Sequence, residues 1–397
     1  MKNIYGISKV SGKNSGVIML LCAVCILFFS CKSDDPVKNR AYFVGKLYES
    51  GTVKIAVEQS NEVDDTPVQN ALKLAQKRIK AEKLCSVEIE LVEFTDEPVP
   101  TSGMRTAYEI CSDDEFAAVI SYTISDIANP NSLIYQYHGL LMFNIISSSP
   151  KLAGRNNPLY FSNMPTDTEI AAKAVEICAK NGFDRVLIYY LDSDYGMSLA
   201  NSYEMNCASQ NITIVNRDGY SSSAGEVEHI KNIKRWSKNF AYNAVFLAGQ
   251  MPEVQNIYRL MRENGIRCPV IGGDTFDGTA FVSSLDKSDN GKVFSVSNFD
   301  EESDNPVVQR FFADYMEEYG CEPDQGALQA YDALMVLAKA IASANSAVPS
   351  ELADSLRANS WNECAGPYSF DKNGSMCGNA LTGKVYNDGK FKTIRQD

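Results

Sequence analysis

Four short stretches place hydroxyls, a phenol or a carboxylate directly behind runs of apolar residues, where a strand would end. LLMFNII at 140–146 is followed by Ser147, Ser148 and Ser149; SYTISD at 121–126 carries Ser125; DSDYG at 192–196 carries Tyr195; VIGGD at 270–274 ends on Asp274. The chemistry on offer is recognition. A carboxylate such as Asp274 meets a cationic group through a charge-assisted hydrogen bond. A tyrosine offers a broad apolar face with one polar handle, and hydroxyls both donate and accept. Each position also has a plainer use. Three serines before Pro150 suit an ordinary polar turn, Asp192 and Asp194 suit helix caps, and Asp274 suits a loop, hinge or cap. Phe276, as a lone aromatic, suits packing.

Bond-breaking chemistry finds little support. Acyl transfer needs a nucleophile with a base in reach, and no G-x-S-x-G elbow is present. GIRCPVIGGD is not a dinucleotide fingerprint, and no P-loop pattern occurs. Only His138 and His229 supply imidazoles, each placed in or beside a helix as a surface or capping residue, and no C-x₂-C pair exists. That leaves a structural zinc site without ligands of the usual spacing. The pairs Glu301/Glu302 and Glu317/Glu318 read as solvated faces. The expectation is a binding protein, not an enzyme, with no cofactor and no metal.

The elements that must position these residues alternate. VKIAVEQ at 53–59 reads as a strand, and 67–84 as a helix with Val68, Ala71, Leu72, Ala75, Ile79 and Leu84 near a 3.6-residue period. Strands at 87–96, 117–122 and 140–146 follow, with helices at 101–111 and 126–138 between them. The consecutive apolar run of the last strand fits a position covered on both faces. The rhythm restarts at Asp167, with strands at 185–192, 244–249, 268–274 and 291–299 among helices, and Gly182 as a helix stop. Helices at 305–320, 326–345 and 350–359 and hairpin-like terminal segments close the chain. Such alternation specifies an α/β fold of mostly parallel sheets with helices on both faces. About 345 residues exceed what one core usually sustains, so two lobes are expected: 52–165 plus 300–370, and 166–299 plus 371–395. Crossings near 165, 300 and 370 would make a hinge.

Residues 1–30 carry Lys2, Lys9 and Lys13, no acid, and then the apolar run VIMLLCAVCILFFS. A basic region, a short apolar region and a small residue before a cut describe a secretory signal. LFFSC resembles the lipobox of bacterial lipoproteins, which implies lipidation of Cys31, with 31–51 a short tether. KSDD at 32–35 resembles the acidic export signals of Bacteroidetes surface lipoproteins, implying an outer membrane facing the periplasm or the cell surface. Without the leader the charge is about -16, since three lysines and no acid leave with it. That balance opposes a nucleic-acid or anionic-membrane surface, which needs basic patches. Eight cysteines then remain in an oxidising compartment, and disulfides are expected as Cys85–Cys111, Cys178–Cys207, Cys268–Cys321 and Cys364–Cys377.

The order of GLLMFNIISSSPKLAG, DSDYG, AVFLAGQMPEV, PVIGGDTF, ALQAYDALMVLAKAI and GPYSFDKNG resembles the branched-chain amino-acid (Leu/Ile/Val) binding proteins of ABC transporters, over about 52–395. The resemblance implies the type I periplasmic binding fold, two Rossmann-like three-layer lobes with a hinge crossed three times. It implies a small polar ligand, an amino acid or related zwitterion, held between the lobes and delivered to a permease or an outer-membrane uptake complex. Ser125, Ser147, Ser148 and Ser149 would hold the ligand carboxylate, Tyr195 would close over it, and Asp274 would take the ammonium. Gln250 stands where relatives often have an aromatic residue, and Glu58, Gln59 and Ser60 replace a glycine-rich stretch, so the side-chain subsite is altered. Asp126, in place of a small residue, would repel a ligand carboxylate. Sugars, nucleosides and polyamines stay open, as does a regulatory or sensory lipoprotein that docks onto an envelope protein, whose cleft its own side chains would fill.

Overall fold

A computed structural model of the protein describes residues 34–60, 66–378 and 381–395. The leader and Cys31 lie outside these residues. Helix α1 (Pro36–Glu49) leads into β1 (Thr52–Ser60), α2 (Thr66–Glu82), β2 (Glu88–Asp96), α3 (Pro100–Ser112), β3 (Phe116–Tyr122), α4 (Ser125–Tyr137), β4 (Leu141–Asn144), α5 (Pro150–Ala153) and β5 (Tyr160–Ser162). These strands form one sheet, ordered β2-β1-β3-β4-β5, with every pair parallel. Both of its faces must therefore be covered, and β3 and β4 are buried at every residue.

The chain then enters a second sheet. Its course is α6 (Asp167–Lys180), β6 (Arg185–Leu191), α7 (Asp194–Cys207), β7 (Thr213–Tyr220), α8 (Glu226–Asn239), β8 (Ala244–Ala248), α9 (Glu253–Glu263), β9 (Val270–Gly272), α10 (Thr279–Val282) and β10 (Val293–Ser297). The start of α6 is fixed by a capping box, in which Thr166 accepts from the Glu169 amide while Glu169 accepts from the Thr166 amide. Helices α11 (Pro306–Tyr319), α12 (Gln325–Ala344) and α13 (Pro349–Ala358) follow, then β11 (Ser360–Glu363), β12 (Gly366–Phe370), β13 (Met376–Cys377), β14 (Thr382–Asn387) and β15 (Lys390–Thr393). The seven-stranded sheet runs β15-β14-β10-β9-β8-β6-β7, and β11-β12-β13 form a small sheet of their own.

Burial shows where the late elements go. Leu328, Leu334, Leu337 and Ile341 of α12, with Phe311, Leu352 and Phe370, share one core with Ile55, Ile120 and Phe143 of the first sheet. Strand β14 instead extends the second sheet antiparallel to β10, and β15 pairs antiparallel with β14 at its edge. Helix α12 is long and apolar enough to cross a membrane by length and composition, yet it is mostly buried inside the protein. The crossing segments bind one another. Asn163 donates to the Gln329 carbonyl at 2.9 Å, Asn298 donates to the Asn163 carbonyl at 3.2 Å, and Ser162 donates through its amide to Gly374 at 2.9 Å. Gly374 has φ +81°, and any Cβ there would strike the Tyr160 carbonyl, so this crossing requires glycine.

Several expectations need correction. The span read as a tether is largely α1, begun by Asp35 as N-cap and Pro36 as first residue. Its Arg40 is fully buried and donates to four backbone carbonyls, those of Cys111, Asp113, Phe116 and His138. A charged residue inside a polar stretch looks solvent-bound until a cage of acceptors is known. The expected disulfides are absent: Cys85, Cys111, Cys178, Cys207, Cys268, Cys321, Cys364 and Cys377 are all free thiols. Their sulfurs serve other ends. Cys178 shares a hydrogen bond with the Tyr203 hydroxyl at 3.0 Å, and Cys85 donates to the Val87 carbonyl at 3.2 Å. Cys364 is buried while Cys377 is exposed. His229 is core rather than surface, bonded to the Tyr189 hydroxyl at 2.7 Å. Glu301 is no solvated face: with Asp277 it neutralises the buried Lys384, at 2.7 and 2.8 Å.

Candidate functional site

Parallel strands of both sheets end toward a common gap, and the loops there enclose a cavity of about 250 Å³. Side chains at such carboxyl ends converge with the free amides of the following helices. Ser125 opens α4 behind β3, Ser147 follows β4, Tyr195 sits in the first turn of α7, Gln250 and Met251 follow β8, and Asp274 and Thr275 follow β9; all line the cavity. Asp324 and Gln325 enter from the start of α12.

The hydroxyl side is pre-arranged. Ser125 and Ser147 share a hydrogen bond of 2.9 Å. The Ser147 amide and carbonyl are both held by Asn144, at 3.0 and 2.7 Å. Opposite, the Tyr195 hydroxyl donates to Asp274 at 2.8 Å. Burial pushes Asp274 up to about 6, with the Tyr195 hydrogen bond pulling the other way. Ile124, Ile146, Met251 and Ala280 supply apolar wall. Among the described residues, neither Lys nor Arg lines the cavity. Its positive character comes from helix starts: α4, α7 and α12 all begin at its edge, and the amides of a first turn favour an anion.

Ser148 and Ser149 do not line the cavity. Ser148 donates to Asp167 at 2.5 Å, and burial raises Asp167 to about 7. Ser149 pairs with Asn129, at 3.1 and 3.2 Å. Alternation in an extended segment points neighbouring side chains apart, and a run of three like residues hides which one faces in. Asp126 is likewise absent from the lining: its Oδ1 accepts from the Asp194 amide at 3.1 Å. It therefore does not confront a ligand carboxylate. Asp194 in turn accepts from Asn129 at 2.8 Å and pairs with Lys151 at 2.8 Å, so one acid of the second lobe is gripped by three residues of the first. Ser193, not Asp194, caps α7. Phe276 packs on Phe281, ring centroids 4.0 Å apart.

Sequence reasoning missed Thr275, Thr279, Asp324, Gln325 and Gln329 in the lining. Asp324 did carry a signal: it caps α12 by accepting from the Ala327 amide at 2.9 Å, and DQGA is a recognisable helix start. Gln329 had none, since one polar residue in an apolar helix gives no direction. A second cavity of about 400 Å³ adjoins the first and shares Thr279, Asp324 and Gln325 with it.

Comparison with known proteins agrees with this geometry. The family described as periplasmic binding protein matches residues 62–390. The chain is 26% identical over 303 residues to a Leu/Ile/Val-binding protein of Citrobacter freundii, covering 76% of this chain and 78% of that one. It is 25% identical over 335 residues to a leucine-specific-binding protein of Salmonella typhimurium, covering 83% and 87%. An ABC transporter substrate-binding protein from Desulfitobacterium hafniense, solved in complex with Leu, superposes with a TM-score of 0.76 at 28% identity, covering 86% of this chain and all of the other. A solute-binding protein from R. palustris in complex with benzoate has the same fold, with a TM-score of 0.77 at 15% identity.

Proposed function

Since this chain belongs to the periplasmic binding protein family, a family of non-catalytic solute binders, we propose that it captures an amino acid or related zwitterion in the cleft between its lobes and passes it on for uptake. It is an extracytoplasmic solute-binding protein of type I fold, and the cleft is where its small polar ligand belongs.

The observation that carries the finer reading is the polarity of the cleft. The starts of α4 and α12 and the Ser125–Ser147 pair lie on one side, suited to a carboxylate, and Asp274 lies across from them, suited to an ammonium. Tyr195 belongs to the acid's side and orients it. The apolar wall and Gln250 would meet the ligand side chain. An open cavity favours capture over a docking role in which the protein fills its own cleft.

In this proposal Cys31 carries the lipid, the lobes divide as 52–165 with 300–370 and 166–299 with 371–395, and the partner is a permease or an outer-membrane uptake complex. The test is a thermal-shift screen of amino acids and other small solutes on the soluble form beginning at Lys32. A ligand that binds only the folded state raises its melting temperature. For the ligand so found, Tyr195→Ala and Asp274→Asn should each weaken binding tenfold or more with the fold intact. Equal affinity in both variants overturns the site assignment.

A further inference from the structure

Helix α4 opens at the cleft with Ser125 and ends at Tyr137, and around its far end the first lobe carries an apolar face that solute capture does not use. Most of the large hydrophobic side chains left exposed among the described residues lie in or beside α1, α3 and α4, whereas Met197, Met205, Val227 and Met316 are scattered over other helices. Val37, Met104, Tyr108, Leu133 and Tyr137 are between 37% and 68% exposed. Met104 and Tyr108 on α3, like Leu133 and Tyr137 on α4, stand four residues apart, so each pair shares one helix face. The two helices pack side by side.

Three helices converge at one corner. Tyr108 and Tyr137 both meet the His138 ring edge-on, with centroids 6.4 and 5.1 Å away. The next residue, Gly139, has φ +64°, and a Cβ there would lie 3.0 Å from the Val37 Cα, so α1 begins against the same corner. Arg40 fastens it there by donating to the His138 carbonyl at 2.9 Å. Leu133 and Tyr137 are the exposed residues of α4, and its one charged side chain, Asp126, turns to the second lobe. A surface helix ordinarily shows charged and polar groups to water. A contiguous apolar face on a soluble protein marks a contact.

The course of the chain indicates what covers it. Asp35 is fixed as the N-cap of α1, and only Lys32, Ser33 and Asp34 separate it from Cys31. Even fully extended, that stretch spans no more than about 14 Å. We propose that, in a chain held at Cys31, the corner formed by α1, α3 and α4 lies on a zwitterionic phospholipid surface. The inference rests on lipidation of Cys31 as proposed above. An anchor that close brings the start of α1, and the apolar corner around it, to the headgroups. Tyrosine suits that boundary, its ring entering the apolar layer while its hydroxyl stays wet. The apolar side chains then add their own burial to that of the acyl chains. The formal net charge of -13 disfavours anionic headgroups, so the contact is apolar in kind.

The test separates the face from the anchor. Flotation of the full chain with phosphatidylcholine vesicles, against Cys31→Ala, reports lipidation alone. The face is read on the soluble form beginning at Lys32, held by an N-terminal histidine tag on phosphatidylcholine vesicles containing a nickel-chelating lipid. Trp236 and Trp361 are buried and give a constant background. Tyr137→Trp and Leu133→Trp each place an indole on the corner, and Val227→Trp places one on the second lobe as control. Brominated phosphatidylcholine should quench the two corner indoles by half or more and leave the control unchanged. Adding Leu133→Glu to Tyr137→Trp should relieve the quenching. Corner indoles no more quenched than the control overturn the proposal, whether or not the full chain floats. So does a concentration-dependent dimer in solution that Leu133→Glu abolishes, which would give the face to a second copy.

Discussion

At the scale of single residues, Asp194 joins the two halves of the molecule. Its carboxylate meets Asn129 and Lys151, and its amide meets Asp126, all from the opposite lobe. The contacts exist only while the lobes are together, so their free energy biases the closed state. Asp194→Ala should therefore weaken solute affinity about three- to tenfold, since a smaller competent fraction lowers apparent affinity in proportion. Titration of the solute checks this, and the loss should appear with little change in melting temperature. The residue-level reading of the sequence was uneven for a physical reason. Ser125, Ser147, Tyr195, Gln250 and Asp274 stand directly after strand ends and line the cavity. Ser148 and Ser149 share that address, yet one rotation of the backbone sends each to a different partner. Residue type and position along the chain locate a loop at the gap; they do not aim its side chains.

At the scale of elements, strands and helices were legible because hydrophobic periodicity is imposed by burial, and burial is severe here. β3 and β8 have no exposed residue. What escaped was short or held by polar contacts. β5, three residues long, has too few positions to show a period. Helix α1 has Asn39 and Arg40 among its buried residues, which defeats any rule that equates apolar with inside. Arg40 binds α1 to the ends of α3 and α4 and to the start of β3. Replacing it by Ala would strand four carbonyl acceptors in a dry site. Arg40→Ala should cost about 2–4 kcal/mol, read as a lowered midpoint in urea. The disulfide expectation failed at this scale as well, since an even count and a compartment set no distance between sulfurs.

At the scale of the whole molecule, both lobes keep acids in their interiors. Asp332 of α12 accepts from Tyr368 at 2.6 Å and from the Ala365 amide at 3.2 Å, and burial, with the charge of Glu363 adding, raises it to about 7. Asp167 of α6 is raised to about 7, burial again the first cause. For an acid raised in the folded state, the unfolded chain gives up its proton first. Between pH 4 and 7 the folded form thus binds more protons, and stability falls as pH rises until both forms are ionised. A single acid moved by about three units contributes at most ~4 kcal/mol to that change. The melting temperature should accordingly be higher at pH 5 than at pH 8, and Asp332→Asn should flatten the difference. A profile without that fall between pH 5 and pH 8 would show these carboxyls already ionised in the folded protein at pH 5. The two-lobed architecture itself was readable, because the strand–helix rhythm stops and restarts at Asp167 and the chain is too long for one core.

The docked N-terminal helix carries a mechanical implication. Whatever holds the chain by its beginning grips the five-stranded half, because α1 is locked to it by a buried guanidinium and only a few residues separate Cys31 from the first helical turn. With the chain anchored at Cys31 as proposed, that half would be the stator. Under the proposed lipid anchoring and solute capture, the seven-stranded half would be the rotor, swinging in each uptake cycle while its companion keeps a fixed bearing toward the envelope. A receiving machine would then recognise a departing and returning face on one side only.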